Sequence, residues 1–136
     1  MPLTSSIVIE TVQTRARNEM IDITSRVQAA LDRRQAGSGM VVVFVSHTTA
    51  AVTINENADP DVKSDMLEKL SHMIPQQEPY YQHDEGNSDA HLKASLIGSS
   101  VTVLVEAGRL QLGRWQGIYL CEFDGPRERR VLIRVA

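Results

Sequence analysis

The chain alternates between two periodicities, and these define its elements. Residues 6–14 set Ile7 and Ile9 against Val8 and Glu10, which predicts a first strand. Ile23, Val27 and Leu31 then recur at i, i+4 and i+8 on a helix that Asp22 or Thr24 could cap, and Gly37-Ser38-Gly39 stops it. Residues 40–45 are an unbroken apolar run, the pattern of a central strand buried on both faces. That run delivers His47-Thr48-Thr49 at its end, and residues 50–54 predict another strand. Asp59-Pro60-Asp61 opens a second helix, with Asp59 as N-cap, Pro60 at the first helical position and Asp61 in the first turn. Val62, Met66, Leu70, Met73 and Ile74 form its buried stripe, and Pro75 ends it.

From residue 76 to 89 almost nothing is apolar except Tyr80 and Tyr81. A polar segment this long inside a small domain is usually functional. A short helix over 91–97 ends at Gly98. Strands follow at 100–106, 109–112, 117–123 and 130–135, with Gly108, Gly113, Gly117 and Gly125 as turn residues. Two helices and about seven strands, with no repeat and no linker, predict one α+β domain over 1–136, the helices laid on a mixed sheet.

Composition narrows the function classes. The 136 residues are 42% hydrophobic and 23% charged, ordinary for a globular protein long enough to bury a core without disulfides. A net charge of -3 supplies no basic excess for nucleic acid, apart from the short stretch Arg127, Arg129 and Arg130. Residues 1–6 contain neither a basic nor an apolar segment of a signal peptide, and no run is long enough to span a membrane. A single cysteine, Cys121, fits a reducing cytoplasm and reads as a buried small hydrophobe in the 117–123 strand.

Three of the four histidines sit in polar, non-periodic segments: His47 at a strand end, His83 and His91 bracketing the polar loop. Imidazole suits zinc and titrates near neutrality, but the spacing matches no zinc-finger or HExxH pattern. Composition alone therefore leaves these residues between metal ligation and ordinary hydrogen bonding. His72 falls on the outer face of the second helix and reads as solvated. Asp59, Asp61 and Asp65 fail as a calcium loop, because Lys63 interrupts the alternation and Pro60 starts a helix. Thr48, Thr49, Asn55 and Asn57 beside a positive helix N-terminus suit an anion. Asp61 and Asp65, four apart on one face, repel mildly, which leaves Asp65 room for function. No phosphate-binding glycine loop and no GxSxG elbow is present. Ser46 and His47 would point to opposite faces of a strand, which argues against a nucleophile–base pair. In Gly113-Arg114-Trp115-Gln116-Gly117, the only tryptophan reads as a core anchor or a pocket wall, and Gln116 could present its amide to a ligand. Glu122, Asp124 and Arg127 read as a salt-bridged surface turn.

Three blocks together carry a resemblance. His47-Thr48-Thr49-Ala50 runs into Ile54-Asn55-Glu56-Asn57-Ala58-Asp59-Pro60. Residues 83–91 continue into Leu92-Lys93-Ala94-Ser95. Gly108-Arg109-Leu110 precedes Leu112-Gly113-Arg114-Trp115-Gln116-Gly117-Ile118. In order and spacing, from about Met40 to the C-terminus, the chain resembles the YjbQ-like family, often labelled secondary thiamine-phosphate synthase. It departs at Arg114, where a small Thr commonly precedes the Trp, and at Leu104, where Pro is common.

The resemblance implies an α+β fold on a mixed, mostly antiparallel sheet or sandwich, and a homotrimer with sites near subunit boundaries. It implies a site using His47, His83 and His91 around a divalent metal, and three imidazoles favour zinc over magnesium, which prefers oxygen ligands. The named reaction joins a pyrimidine diphosphate to a thiazole phosphate with loss of pyrophosphate. Dedicated enzymes for that step are TIM barrels of about 200 residues or more, so the activity would be secondary here. The resulting expectation is a cytoplasmic enzyme acting on a small phosphorylated metabolite. His47, Asp65 and Asp89 would be the catalytic set. Thr48, Thr49, Asn55, Arg109, Gln116 and Arg127 would hold phosphate or substrate. The alternative is a non-catalytic trimer that binds a metal or a phosphometabolite.

Overall fold

A computed structural model describes residues 6–136. The reading of 1–6 as free of a leader falls, except for Ser6, outside the described residues. The elements run β1 (Ile7–Gln13), β2 (Glu19–Asp22), α1 (Thr24–Arg33), β3 (Gly39–Val45), β4 (Ala50–Glu56), α2 (Pro60–Met73), α3 (Ser88–Ile97), β5 (Ser100–Glu106), β6 (Arg109–Leu110), β7 (Gln116–Glu122) and β8 (Glu128–Val135). They form two antiparallel sheets, one in the order β1-β8-β3-β5-β6 and one in the order β2-β7-β4. The α+β class holds, with the short helix of 91–97 present as α3 beside the two longer expected ones.

The main core lies between the sheets. Val41, Val43, Val45, Val103, Val105, Val131 and Ile133 from the larger sheet meet Ala50, Val52, Ile118 and Leu120 from the smaller, and α1 closes the layer with Val27, Ala30 and Leu31. A second cluster covers the other side of the smaller sheet. There Met20, Ala51, Tyr119, Cys121 and Phe123 pack against Ala90 and Ala94 of α3, with Met66, Leu67 and Leu70 of α2 at the margin.

This layering reverses one expectation. The strand buried on both faces is β7, not β3. Every residue of β7 after Gln116 is buried, because one of its faces meets the larger sheet and the other meets α3. In β3 only Val41, Val43 and Val45 point inward, while Met40 and Phe44 are exposed on the outer face. An apolar run signals two faces available for burial, and this chain fills one of them.

Local sequence accounts for the helix starts. Asp59 caps α2 by accepting the Asp61 N–H at 2.9 Å, with Pro60 behind it. Asp22 fixes the entry to α1 by accepting the Thr24 N–H at 2.9 Å. Met73, expected on the buried stripe of α2, is exposed. The third helix begins at Ser88, three residues before its first predicted position, so the polar segment ends earlier than expected.

Candidate functional site

His47 lies two residues beyond β3, where the pairing of Val45 with Val131 sets it beside Arg130. Its Nε2 accepts the backbone N–H of Arg130 at 2.8 Å. The ring lines a cleft of about 430 Å³ with Thr48, Ala50, His91, Ala94, Ser95, Gly98 and Ser99. Burial, then the positive charges of Arg129 and Arg130, hold the imidazole pKa below its ordinary value against an opposing pull from Glu122.

His91 lines this cleft and also a second one of about 390 Å³, shared with His83, Ser88 and Leu92. The His83 and His91 rings stand edge to face with centroids 5.6 Å apart. The two clefts therefore share one imidazole wall. The second lies at the start of α3, where Asn87 makes no side-chain cap bond and its carbonyl accepts the Ala90 and His91 N–H groups at 3.0 and 3.3 Å, which leaves Ser88 and Asp89 as the first-turn N–H groups without a helical acceptor. His83 Nε2 lies 3.5 Å from Glu85 Oε2.

A buried ion pair, Glu122 with Arg129, lies near enough to His47 to act on its charge. Glu122 accepts from Arg129 Nε at 2.8 Å, from Thr14 Oγ1 at 2.7 Å and from the Asp124 N–H at 3.0 Å, with a further very short bond from Arg129 Nη2. That same Nη2 donates to Thr49 Oγ1 at 2.9 Å and to the Thr49 carbonyl at 3.2 Å. Burial pushes the Glu122 carboxyl upward, but the bonds from Arg129, Asp124 and Thr14 outweigh it and leave the pKa low.

A second buried pair braces α3. Asp89 is fully buried and takes a bidentate fork from Arg17, with both bonds at 3.0 Å, plus the Lys93 ammonium at 3.0 Å. Here too burial raises the carboxyl while Arg17 and Lys93 pull it below its ordinary value. Asn87 donates to Asp124 Oδ2 at 2.8 Å, and its own buried Oδ1 has no partner among the described residues.

Against the predicted site, the structure brings His47, Thr48, His91 and His83 into the two linked clefts. It sets the others elsewhere. Thr49 is buried and held by Arg129. Asp89 points into the Arg17–Lys93 brace rather than toward a histidine. Asp65 sits on the exposed side of α2, beside Lys69 and Met66. Asn55 is five residues along β4 from Ala50, about 17 Å at strand rise. Gln116 pairs with Glu56 at that far end, and its Oε1 accepts the Gly113 N–H at 2.7 Å to close the turn. Arg109 is exposed in the β5–β6 hairpin, about 20 Å along β5 from Ser100. Arg127 is tied to Asp124, by Nε to its carbonyl at 2.8 Å and by Nη2 to its carboxylate at 3.0 Å. Glu122, read as part of a surface turn, is fully buried; only Asp124 and Arg127 form that turn. Trp115 is 53% exposed beneath Arg114, so it is no core anchor.

Among the described residues, no three His, Cys, Asp or Glu side chains stand close enough to hold one metal ion. Sequence reasoning missed Ser95 and Ser99 in the His47 cleft, the half-buried Arg17 and the buried Lys93 and Arg129. Ser95 was recoverable, because four residues after His91 it shares that helix face. The Glu122–Arg129 pair joins strands of different sheets and leaves no local pattern to read.

A family model described as UPF0047 protein YjbQ-like matches residues 9–136. The chain is 52% identical over 124 residues to UPF0047 protein YugU of Bacillus subtilis, covering 91% of this chain and 94% of that protein. Among solved structures, a YjbQ/UPF0047-family protein of Clostridium acetobutylicum superposes with a TM-score of 0.92 at 50% identity, covering 95% of this chain and 99% of that one. The protein TT1486 of Thermus thermophilus gives 0.89 at 45% identity, with coverages of 95% and 99%.

Proposed function

The chain belongs to the YjbQ-like UPF0047 family, and from that premise we propose that it is an enzyme of phosphate-ester or diphosphate chemistry acting at the linked histidine clefts. The observation that carries this reading is the shared wall. Because His91 lines both clefts, one small ligand spanning them meets the start of α3 at one end and His47 at the other. The Ser88 and Asp89 N–H groups, which the Asn87 carbonyl does not take, and the helix dipole suit a phosphate. The hydroxyls of Thr48, Ser95 and Ser99 then bind the polar remainder of the ligand. The Arg130 guanidinium, without a partner among the described residues, adds positive charge beside His47. His91, central to both clefts, is positioned to pass a proton to a leaving phosphate oxygen.

The test is turnover. Protein purified without a histidine tag is given a pyrimidine diphosphate and a thiazole phosphate, and thiamine phosphate and pyrophosphate are measured. The reading expects product formation that drops about 100-fold or more in His91→Ala, the usual scale for a lost acid–base group. Equal rates in wild type and His91→Ala would remove the catalytic role.

A metal reading is favoured by the 5.6 Å approach of the His83 and His91 rings, close enough for two imidazoles to face one ion. The described residues supply two such ligands rather than three, so zinc would need a further ligand from substrate, water or a second copy. Elemental analysis of tag-free protein decides this. A trimer is the assembly that goes with this reading. The outer face of the larger sheet, with Ile9, Phe44 and Leu104 exposed, is the surface such an assembly would cover. No helix among the described residues is long and apolar enough to cross a membrane.

A further inference from the structure

We propose that His47 acts as a neutral hydrogen-bond donor through Nδ1–H, presenting a proton to an oxyanion or carbonyl oxygen of the ligand, and is neither a metal ligand nor a general base. The argument starts from its neighbour. Nε2 lies 2.8 Å from the backbone N–H of Arg130, and a backbone amide can only donate. Nε2 must therefore present its lone pair, and a neutral imidazole with a bare Nε2 carries its proton on Nδ1. Unlike a side-chain partner, the amide cannot change protonation state or rotate away, because the neighbouring pairings of β8 with β1 and β3 fix it.

The groups around the ring favour the same form. An imidazolium would turn an Nε2–H against the Arg130 N–H, setting two donors face to face. Burial and the charges of Arg129 and Arg130 oppose protonation, with Glu122 alone pulling the other way. Both ring nitrogens are thus assigned. Nε2 is used internally, and Nδ1 has no partner among the described residues. A protonated Nδ1 offers no lone pair to a cation, so a three-histidine metal centre through His47 does not fit this donor set. It does fit an oxygen that gains negative charge during reaction, the role a neutral imidazole plays as an electrophile. The ligand class that follows is one with an acceptor oxygen opposite His47, and Thr48, Ser95 and Ser99 line the same cleft as further donors.

The donor assignment stands on the His47–Arg130 geometry; only the identity of the acceptor rests on the phosphate reading above. The experiment is long-range ¹H–¹⁵N correlation on protein labelled at histidine nitrogens, followed by titration with inorganic pyrophosphate and, separately, with zinc. The expected spectrum shows His47 in the Nδ1–H tautomer at neutral pH. Zinc leaves its two nitrogen signals in place. His47→Asn, whose Nδ2–H stands near the Nδ1 position, keeps pyrophosphate affinity within a few-fold, while His47→Ala loses about tenfold, the scale of one hydrogen bond to a charged group. An Nε2–H tautomer, an imidazolium at neutral pH, a zinc-induced shift at Nδ1, or equal losses in the Asn and Ala variants would overturn the proposal. If the tautomer is as assigned but pyrophosphate moves no histidine signal in wild type, the donor assignment stands and the phosphate reading falls.

Discussion

The smaller sheet has two ends that look alike in sequence and differ in construction. At one end, where β7 finishes and β4 begins, polar residues are buried and joined: Glu122 to Arg129 and Thr14, Arg129 to Thr49, Asp89 to Arg17 and Lys93. At the other end, Asn55, Asn57, Arg114, Trp115 and Gln116 are all exposed, and the bonds made there are those that shape a turn. Both ends carry family-like motifs. Only the first spends buried charge on holding a strand end, an arrangement tolerated where geometry must be fixed. Within one chain, the histidine end is therefore the preorganised one.

The largest expected effect breaks the first end. Glu122→Ala leaves the Arg129 guanidinium buried without its carboxylate and should cost about 3–5 kcal/mol, read by urea denaturation. A loss below about 1 kcal/mol would mean the network is ornamental.

Acid should find the same end first. Glu122 and Asp89 have folded-state pKa values below their ordinary 4.5 and 3.8. Their contribution is thus complete above those values and is lost as pH falls through and below them. Below about pH 5 denaturation midpoints should decline by this route, and Glu122→Gln should flatten that part of the decline. A midpoint independent of pH down to 3 would contradict the assignment.

A smaller effect probes the second end. A Cβ at Gly117 would meet Asn57 Cβ and Nδ2 at 2.8 Å, so Gly117→Ala should cost about 1–3 kcal/mol by overpacking. It should leave pyrophosphate binding at the histidine clefts unchanged. The smallest effect belongs to Trp115→Ala, which removes an exposed stack with Arg114 worth about 0.5–1 kcal/mol. A loss above about 2 kcal/mol in the isolated chain would show that the two ends are not so different.

The legibility of the molecule follows the range of its interactions. Period-two and period-3.6 patterns are local, so β1, α1, β4, α2, β5, β7 and β8 were readable, as was the Asp59-Pro60 cap. The four-residue strand β2 was too short to show a period, and the first turn of α3 was hidden by Asn87, Ser88 and Asp89, which read as loop. The run in β3 gave the right strand and the wrong partner count, because apolarity does not say what covers a face. At the site, His47, Thr48, His83 and His91 are readable as residue types in polar segments, and the fold sets them around two clefts that share His91. Asp89 and Thr49 were singled out for chemistry although the structure buries them as bracing. Arg129 reads in sequence only as part of a short basic stretch, because its partners Glu122 and Thr49 come from other segments of the chain. Polar residues that face a ligand and polar residues that brace the fold look identical until the fold assigns their neighbours.

The most direct test of the central claim is a titration of the ¹⁵N-labelled protein with inorganic pyrophosphate, mapped residue by residue. A ligand seated at the linked clefts should give saturable shifts at His47, His83, Ser88, His91 and Ser95, and none at Asn55, Arg114 or Trp115. Shifts confined to the Trp115 end, or none at millimolar pyrophosphate, would contradict it.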